Sequence, residues 1–474
     1  MKILKKLEDS KQFWFVIFTT FLFFILRLPS LFEPLWYGDE GVYQVIGTAL
    51  NHGKLLYKDV FDNKPPLLYW LYSLLHSDQF SIRLTSLIFG ALSVIAFYLL
   101  SKKLFKNNKI SYLITLVFAV LFGLPTLEGN IANAENFMLL PIIVSAIFIV
   151  KQRKFFLAGL FLGLAFLFKI VAVFDLSAFM VFYFILNINS LKKEFKLISL
   201  LEGFFLPIFL VSMFFIFNGT FMDFIKAAFI SNVSYVSSGN KIGILPIFLF
   251  LKLLFLAGFV ILALLKRNKF NPTTLFVLIW FAFSLFNAFF SQRPYGHYLL
   301  TLLPSFCLMI GLIIFEKQYQ KIITAIFLLA IFTVIKGFGI PKFDQSAYYK
   351  NFVSYVMGEK STTDYQKFFD PNTPYDYEIA RFIKPKLNKN DSLYVWGNNA
   401  QLYQLVGAVA PTKYVVSYHV TYYNDGLATT KKDLEETRPK FIVIMPNNSP
   451  FAFDLSNYYL TIDIHQAKIY ERLL

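Results

Sequence analysis

Two neighbouring carboxylates, Asp39 and Glu40, open a polar stretch over residues 36–72, WYGDEGVYQVIGTALNHGKLLYKDVFDNKPPLLYWLY, which also holds Asp59, Asp62, Lys54, Lys58 and Lys64. Acids with lysines close by, held at the edge of a bilayer, suit chemistry on a lipid-borne phosphate. Lysine attracts the anionic oxygens as a point charge and arginine grips them bidentately. A carboxylate takes the proton of an attacking hydroxyl, a step typically worth about 10²–10⁴-fold in rate. Further candidates follow at the ends of apolar runs: Glu128, Glu135, Lys169, Asp175, Arg293, Tyr295, His297 and Tyr298. Charges in or near a bilayer cost about 2.5–3.5 kcal/mol each on insertion scales and are functional candidates by default. Each also has a plain structural reading. Asp39 and Glu40 suit the first turn of a helix, Lys64 ends an extended segment before proline, Lys169 snorkels to the surface, and Arg293 and His297 sit at an interface.

The elements that position these groups are membrane helices. Of 474 residues 57% are hydrophobic, 59 are phenylalanine, and the mean hydropathy is +0.56. A soluble domain averages roughly 45–50% apolar residues. One cysteine, Cys307, excludes an internal disulfide. The formal charge of +16 is dispersed in short clusters between apolar runs, which marks topology rather than nucleic-acid binding. No glycine-rich dinucleotide or P-loop motif appears, which argues against a nucleotide-handling domain.

A spanning helix needs roughly 20 apolar residues. On that rule about eleven spans are expected, near residues 12–31, 81–100, 110–125, 137–150, 155–172, 175–190, 197–217, 244–265, 274–290, 299–315 and 322–339. Every second connector is basic: Lys2, Lys5, Lys6 and Lys11; Lys102, Lys103, Lys106 and Lys109; Lys151, Arg153 and Lys154; Lys192, Lys193 and Lys196; Lys266, Arg267 and Lys269; Lys317 and Lys321. The positive-inside rule then puts the N-terminus in the cytoplasm and the loop 32–80 outside the cell. The first span has no small-residue cleavage site after it and reads as an anchor. Within the loop, residues 42–50 and 65–75 are apolar but too short to span, and Tyr69, Trp70 and Tyr72 suit the headgroup level.

From about Pro341 the apolar spans stop. Residues 392–397, 413–420 and 440–445 read as strands, and residues 400–407 and 429–436 as helices. The expected organisation is a transmembrane domain over residues 1–340 and a small extracytoplasmic α/β domain with a partly parallel sheet over 341–474. The latter reads as a lid or an acceptor-docking module.

The sequence resembles the GT-C membrane glycosyltransferases, in particular the protein-mannosyltransferase-like group (glycosyltransferase family 39-type) that includes the aminoarabinose transferase of lipid A. The resemblance covers roughly residues 10–340. It rests on Asp39-Glu40-Gly41, on YKDVFDNKPPLLYWLY from Tyr57, on Glu135 in ANAEN, on GLAFLFK ending at Lys169, and on RPYGHYLLTLLP from Arg293. It implies an inverting hexosyl or pentosyl transferase that uses a polyprenyl- or dolichyl-phosphate sugar at the outer face of the cell envelope. By the same resemblance Asp39, with Glu40 beside it, is the catalytic acid that activates the acceptor. Lys64, Arg293 and His297 contact the donor phosphate, and Glu135 sits beside acceptor or donor sugar. Asp62, Lys169, Tyr295 and Tyr298 complete the candidate substrate site. Some relatives need a divalent cation and others do not, so the metal requirement stays open. The sugar is open too, as is the acceptor: a protein, a glycolipid or a surface polysaccharide.

Two other classes compete. A transporter or flippase fits many spans with an intramembrane Lys169, but no inverted repeat or matched pair of broken helices is seen. A non-catalytic envelope protein leaves the acidic first loop without a purpose.

Overall fold

The computed structural model describes residues 2–190, 193–240, 247–339, 344–389 and 391–473. Lys192, Pro341 and the first residues of the expected span 244–265 lie outside them. Each of the apolar stretches read from the sequence falls on a helix. Among the described residues, five stretches are long and apolar enough to cross a membrane: Asp9–Leu31, Gln79–Phe105, Glu194–Phe217, Ile247–Leu265 and Gln320–Phe338. Six further apolar helices, such as Ala134–Val150 and Pro272–Ala288, have 10–17 residues. Only 11% of the apolar window of Ile247–Leu265 is buried by protein, and Phe250, Phe255 and Leu251 stand exposed along it. Such a surface needs hydrocarbon as its solvent, and the chain is a multi-pass membrane protein.

By contacts the chain divides into two compact units. One runs over Met1–Leu28, Thr85–Phe214 and Ile230–Gln345. Inside it, Ala134–Val150 packs on Phe155–Phe168, and Asn108–Gly123 packs on Lys2–Arg27 and on Leu303–Phe315. Val173–Leu186 meets Pro272–Ala288 through Phe179, Phe182, Phe276 and Trp280.

The other unit joins the first loop, Pro29–Leu84, to Phe215–Phe229 and Ser346–Leu474. The two short apolar segments of the loop are helices, Gly38–Asn51 and Pro66–Leu74. Pro66 opens the second at its first position, where its missing N–H is not needed. Tyr69 and Tyr72, read from the sequence as headgroup aromatics, are fully buried instead. They pack against Tyr43 of the first helix.

The C-terminal part carries one four-stranded sheet: β1 (Leu393–Trp396), β2 (Phe441–Ile444), β3 (Tyr458–Ile464) and β4 (Ala467–Arg472), in the order β1-β2-β4-β3. β1 and β2 are parallel and the other pairs antiparallel, so the sheet is partly parallel. Two sequence readings fail here. Residues 413–420 form no strand; Ser417–Tyr422 is a helix, its start pinned where the Ser417 N–H donates to the Gly397 carbonyl just after β1. The β3–β4 hairpin went unread because its two-residue turn, His465-Gln466, takes positive φ at both positions (50° and 69°) without glycine or asparagine.

Candidate functional site

In the second unit, Asp39 and Glu40 both lie in the first turn of helix Gly38–Asn51, yet their surroundings are opposite. Gly41 is the reason this turn can seat deeply. A Cβ there would come within 2.6 Å of the Gln401 backbone nitrogen, so no larger residue allows the same approach. Glu40 is buried, and both its oxygens are taken by Arg83: Nε donates to Oε1 at 3.1 Å and Nη2 to Oε2. Its carboxylate is thereby fixed on both oxygens. Asp39 keeps 47% of its side chain exposed. It accepts from the Tyr43 hydroxyl one turn on, at 3.2 Å, and lies 3.9 Å from the Lys64 ammonium.

Lys64 is the hinge of this cluster. It precedes Pro65, which is extended with ψ 160°, so the chain straightens before the helix and turns the lysine back on the loop. Its Nζ donates to Asp62 at 3.3 Å and sits over the Tyr43 ring, 4.7 Å from the centroid. The Tyr57 hydroxyl donates to its carbonyl at 2.6 Å, and its own N–H donates to the Tyr69 hydroxyl. That hydroxyl in turn donates to Asp62 at 2.7 Å. Asp62 is buried; burial alone would raise its carboxyl, but Lys64, His419, Tyr69 and the Asn63 N–H together hold it below the usual range.

His419, which sequence reading missed, reaches this cluster from helix Ser417–Tyr422. Its Nε2 lies 3.8 Å from Asp62 and its ring packs on Phe61. Among the described residues its buried Nδ1 has no hydrogen-bond partner. Burial lowers its pKa, with Asp62 pulling the other way. Reading residues 413–420 as a strand hid it. Tyr43 was legible, four residues after Asp39 and so on the same helix face.

The first unit holds the remaining candidates. His297 Nδ1 meets Glu128 at 2.7 Å, and the Gly296 N–H donates to the same carboxylate at 3.2 Å. His297 Nε2 lies 3.9 Å from Glu135. Lys169 ends helix Phe155–Phe168 in an extended conformation and pairs with Glu135, with its Nζ 4.4 Å from the Tyr298 ring centroid. That pairing replaces the snorkelling reading. Arg293 stacks over Tyr235 at 4.2 Å, whose hydroxyl meets that of Tyr298 at 3.2 Å. Tyr295 lies parallel to the His297 ring. Asp175 is not in this group; it accepts from the Trp280 indole at 2.7 Å. Among the described residues no group of three or more histidine, cysteine, aspartate or glutamate side chains is arranged to hold a metal ion.

A many-helix membrane protein with an acid–lysine pair on its first loop and a small α/β module has the GT-C fold of membrane glycosyltransferases. Comparison with known proteins agrees. Residues 63–215, less than half of the chain, match the model of the dolichyl-phosphate-mannose-protein mannosyltransferase family. That match takes in Lys64, Glu135 and Lys169. The chain is similar in structure to ArnT from Cupriavidus metallidurans bound to undecaprenyl phosphate, with a TM-score of 0.57 and 14% identity over 96% of this chain and 97% of that one. Its apo state matches equally well, with a TM-score of 0.57 and 14% identity over 97% and 98%. No curated protein sequence matches significantly.

Proposed function

We propose that the protein transfers a sugar from a polyprenyl-phosphate donor to an acceptor at the outer face of the membrane, with inversion at the sugar. Asp39 carries this reading. Of the adjacent pair Asp39 and Glu40 it is the one that stays exposed, oriented by Tyr43 and Lys64, while Glu40 is consumed by Arg83. In this reading Asp39 takes the acceptor proton as the hydroxyl attacks the anomeric carbon, and the lipid phosphate leaves with the bonding electrons. Lys64 keeps Asp39 in place and meets the donor phosphate. In the first unit Arg293 and His297, with Glu135, Lys169, Tyr295 and Tyr298, are proposed as substrate-binding groups. The undecaprenyl phosphate bound by ArnT supports a polyprenyl carrier of that class. The acceptor is a protein, a glycolipid or a polysaccharide of the envelope.

The test is to incubate the purified protein with labelled polyprenyl-phosphate sugars and an envelope extract. Consumption of donor with release of polyprenyl phosphate is expected. Movement of intact donor across a liposome bilayer without consumption would favour a flippase instead.

Outer-face chemistry needs the C-terminal module outside the cell. Cys307 is buried, which leaves the background of thiol labelling low. An impermeant reagent added to intact cells is expected to label Lys432→Cys, where the lysine is 74% exposed, and to spare Lys269→Cys in a basic connector. The reverse pattern would invert the topology and move the site to the cytoplasm.

A further inference from the structure

Arg83 is buried without exposed side-chain surface, and so is Glu33, while Glu40 keeps 5%. Removing a guanidinium from water is unfavourable unless its donors are met, and here each of its three nitrogens has an acceptor. Nε and Nη2 grip both oxygens of Glu40, and Nη1 donates to the Ser30 carbonyl at 2.7 Å and to Glu33 at 3.2 Å. Glu33 is held from its other sides by the Trp36 indole at 3.0 Å and the Tyr348 hydroxyl at 2.6 Å. The network ties the segment before helix Gly38–Asn51, the first turn of that helix and the start of Gln79–Phe105 into one rigid joint.

We infer that Arg83, clamped between Glu33 and Glu40, is a positioning residue that aims the Asp39 carboxylate at Lys64; this rests on the proposed role of Asp39. Successive side chains on a helix point about 100° apart. Fixing Glu40 inward therefore fixes the direction of Asp39, which emerges beside Tyr43 and Lys64. A planar two-pronged grip fixes rotation about the helix axis as well as distance, which a single ammonium does not.

Arg83→Lys keeps the charge and loses the fork. In steady-state assays kcat is expected to fall about tenfold or more with donor KM within about twofold. In an Asp39→Asn background the same change is expected to lower residual turnover by less than about twofold, because its effect passes through Asp39. An equal loss in both backgrounds, or unchanged kcat with a lowered melting temperature, would overturn the inference. If Arg83→Lys does not fold, the neutral triple variant Arg83→Met, Glu33→Gln, Glu40→Gln serves, since buried ion pairs are often replaceable without loss of fold. It should fold and remain slow, and wild-type turnover in it would sink the idea. A second readout needs no activity: Asp39→Cys and Lys64→Cys are bridged with a short bifunctional thiosulfonate. Bridging is expected to slow several-fold with Arg83→Lys; an unchanged rate overturns the positioning role. A wild type inactive on every donor, with bridging still dependent on Arg83, strikes the proposed reaction and leaves the joint standing.

Discussion

Asp39→Asn is expected to lower turnover by about two orders of magnitude or more while the protein stays folded, because an amide cannot take the acceptor proton. The substitution keeps the size and the ability to accept from Tyr43 and to serve at a helix start. If Asp39 only stabilises the helix, the change would cost at most roughly 1 kcal/mol and leave turnover nearly intact. The melting temperature separates the two outcomes, as does single-turnover transfer at saturating donor. Normal transfer by Asp39→Asn would shift the base to Asp62, since Glu40 is held by both prongs of Arg83.

Lys64→Met is expected to lower donor kcat/KM by about tenfold to a hundredfold. Lys64 lies between Asp39 and Asp62, and without it both carboxylates lose the ammonium they share. The pH dependence of stability should change as well. Asp62 titrates below the usual carboxylate range in the folded protein. Its contribution to stability is therefore present above the unfolded value of about 3.9 and is lost as pH falls through the folded value. Methionine removes one of the attractions that oppose burial, so the folded pKa of Asp62 rises. Acid destabilisation should then begin at a higher pH than in the wild type. Melting temperatures between pH 3 and 7 in detergent read this shift directly. An unmoved acid limb would show that Lys64 does not hold Asp62 ionised.

How much of this was legible differs from element to element, for physical reasons. The apolar runs were legible because a membrane helix must satisfy its backbone internally and present apolar side chains to lipid, both of which leave a strong local pattern. The first-loop acids and Lys64 stood out because charge beside such runs is costly. β1 and β2 read easily as short apolar runs with buried faces. The hairpin of β3 and β4 did not, since its turn bends a histidine and a glutamine into positive φ against their local preference.

Partnership was decided by the tertiary structure. Sequence could place Asp39 and Glu40 side by side but could not show how differently they are surrounded. That difference depends on Arg83, which comes from the start of another helix more than forty residues away (43). Nor could it bring His419 to Asp62, because helix Ser417–Tyr422 owes its place to packing on Phe61 and to the end of β1. Local patterns record what each segment needs from its solvent, water or lipid. Which buried carboxylate meets which cation depends on contacts between segments distant in sequence, and those leave no period to read.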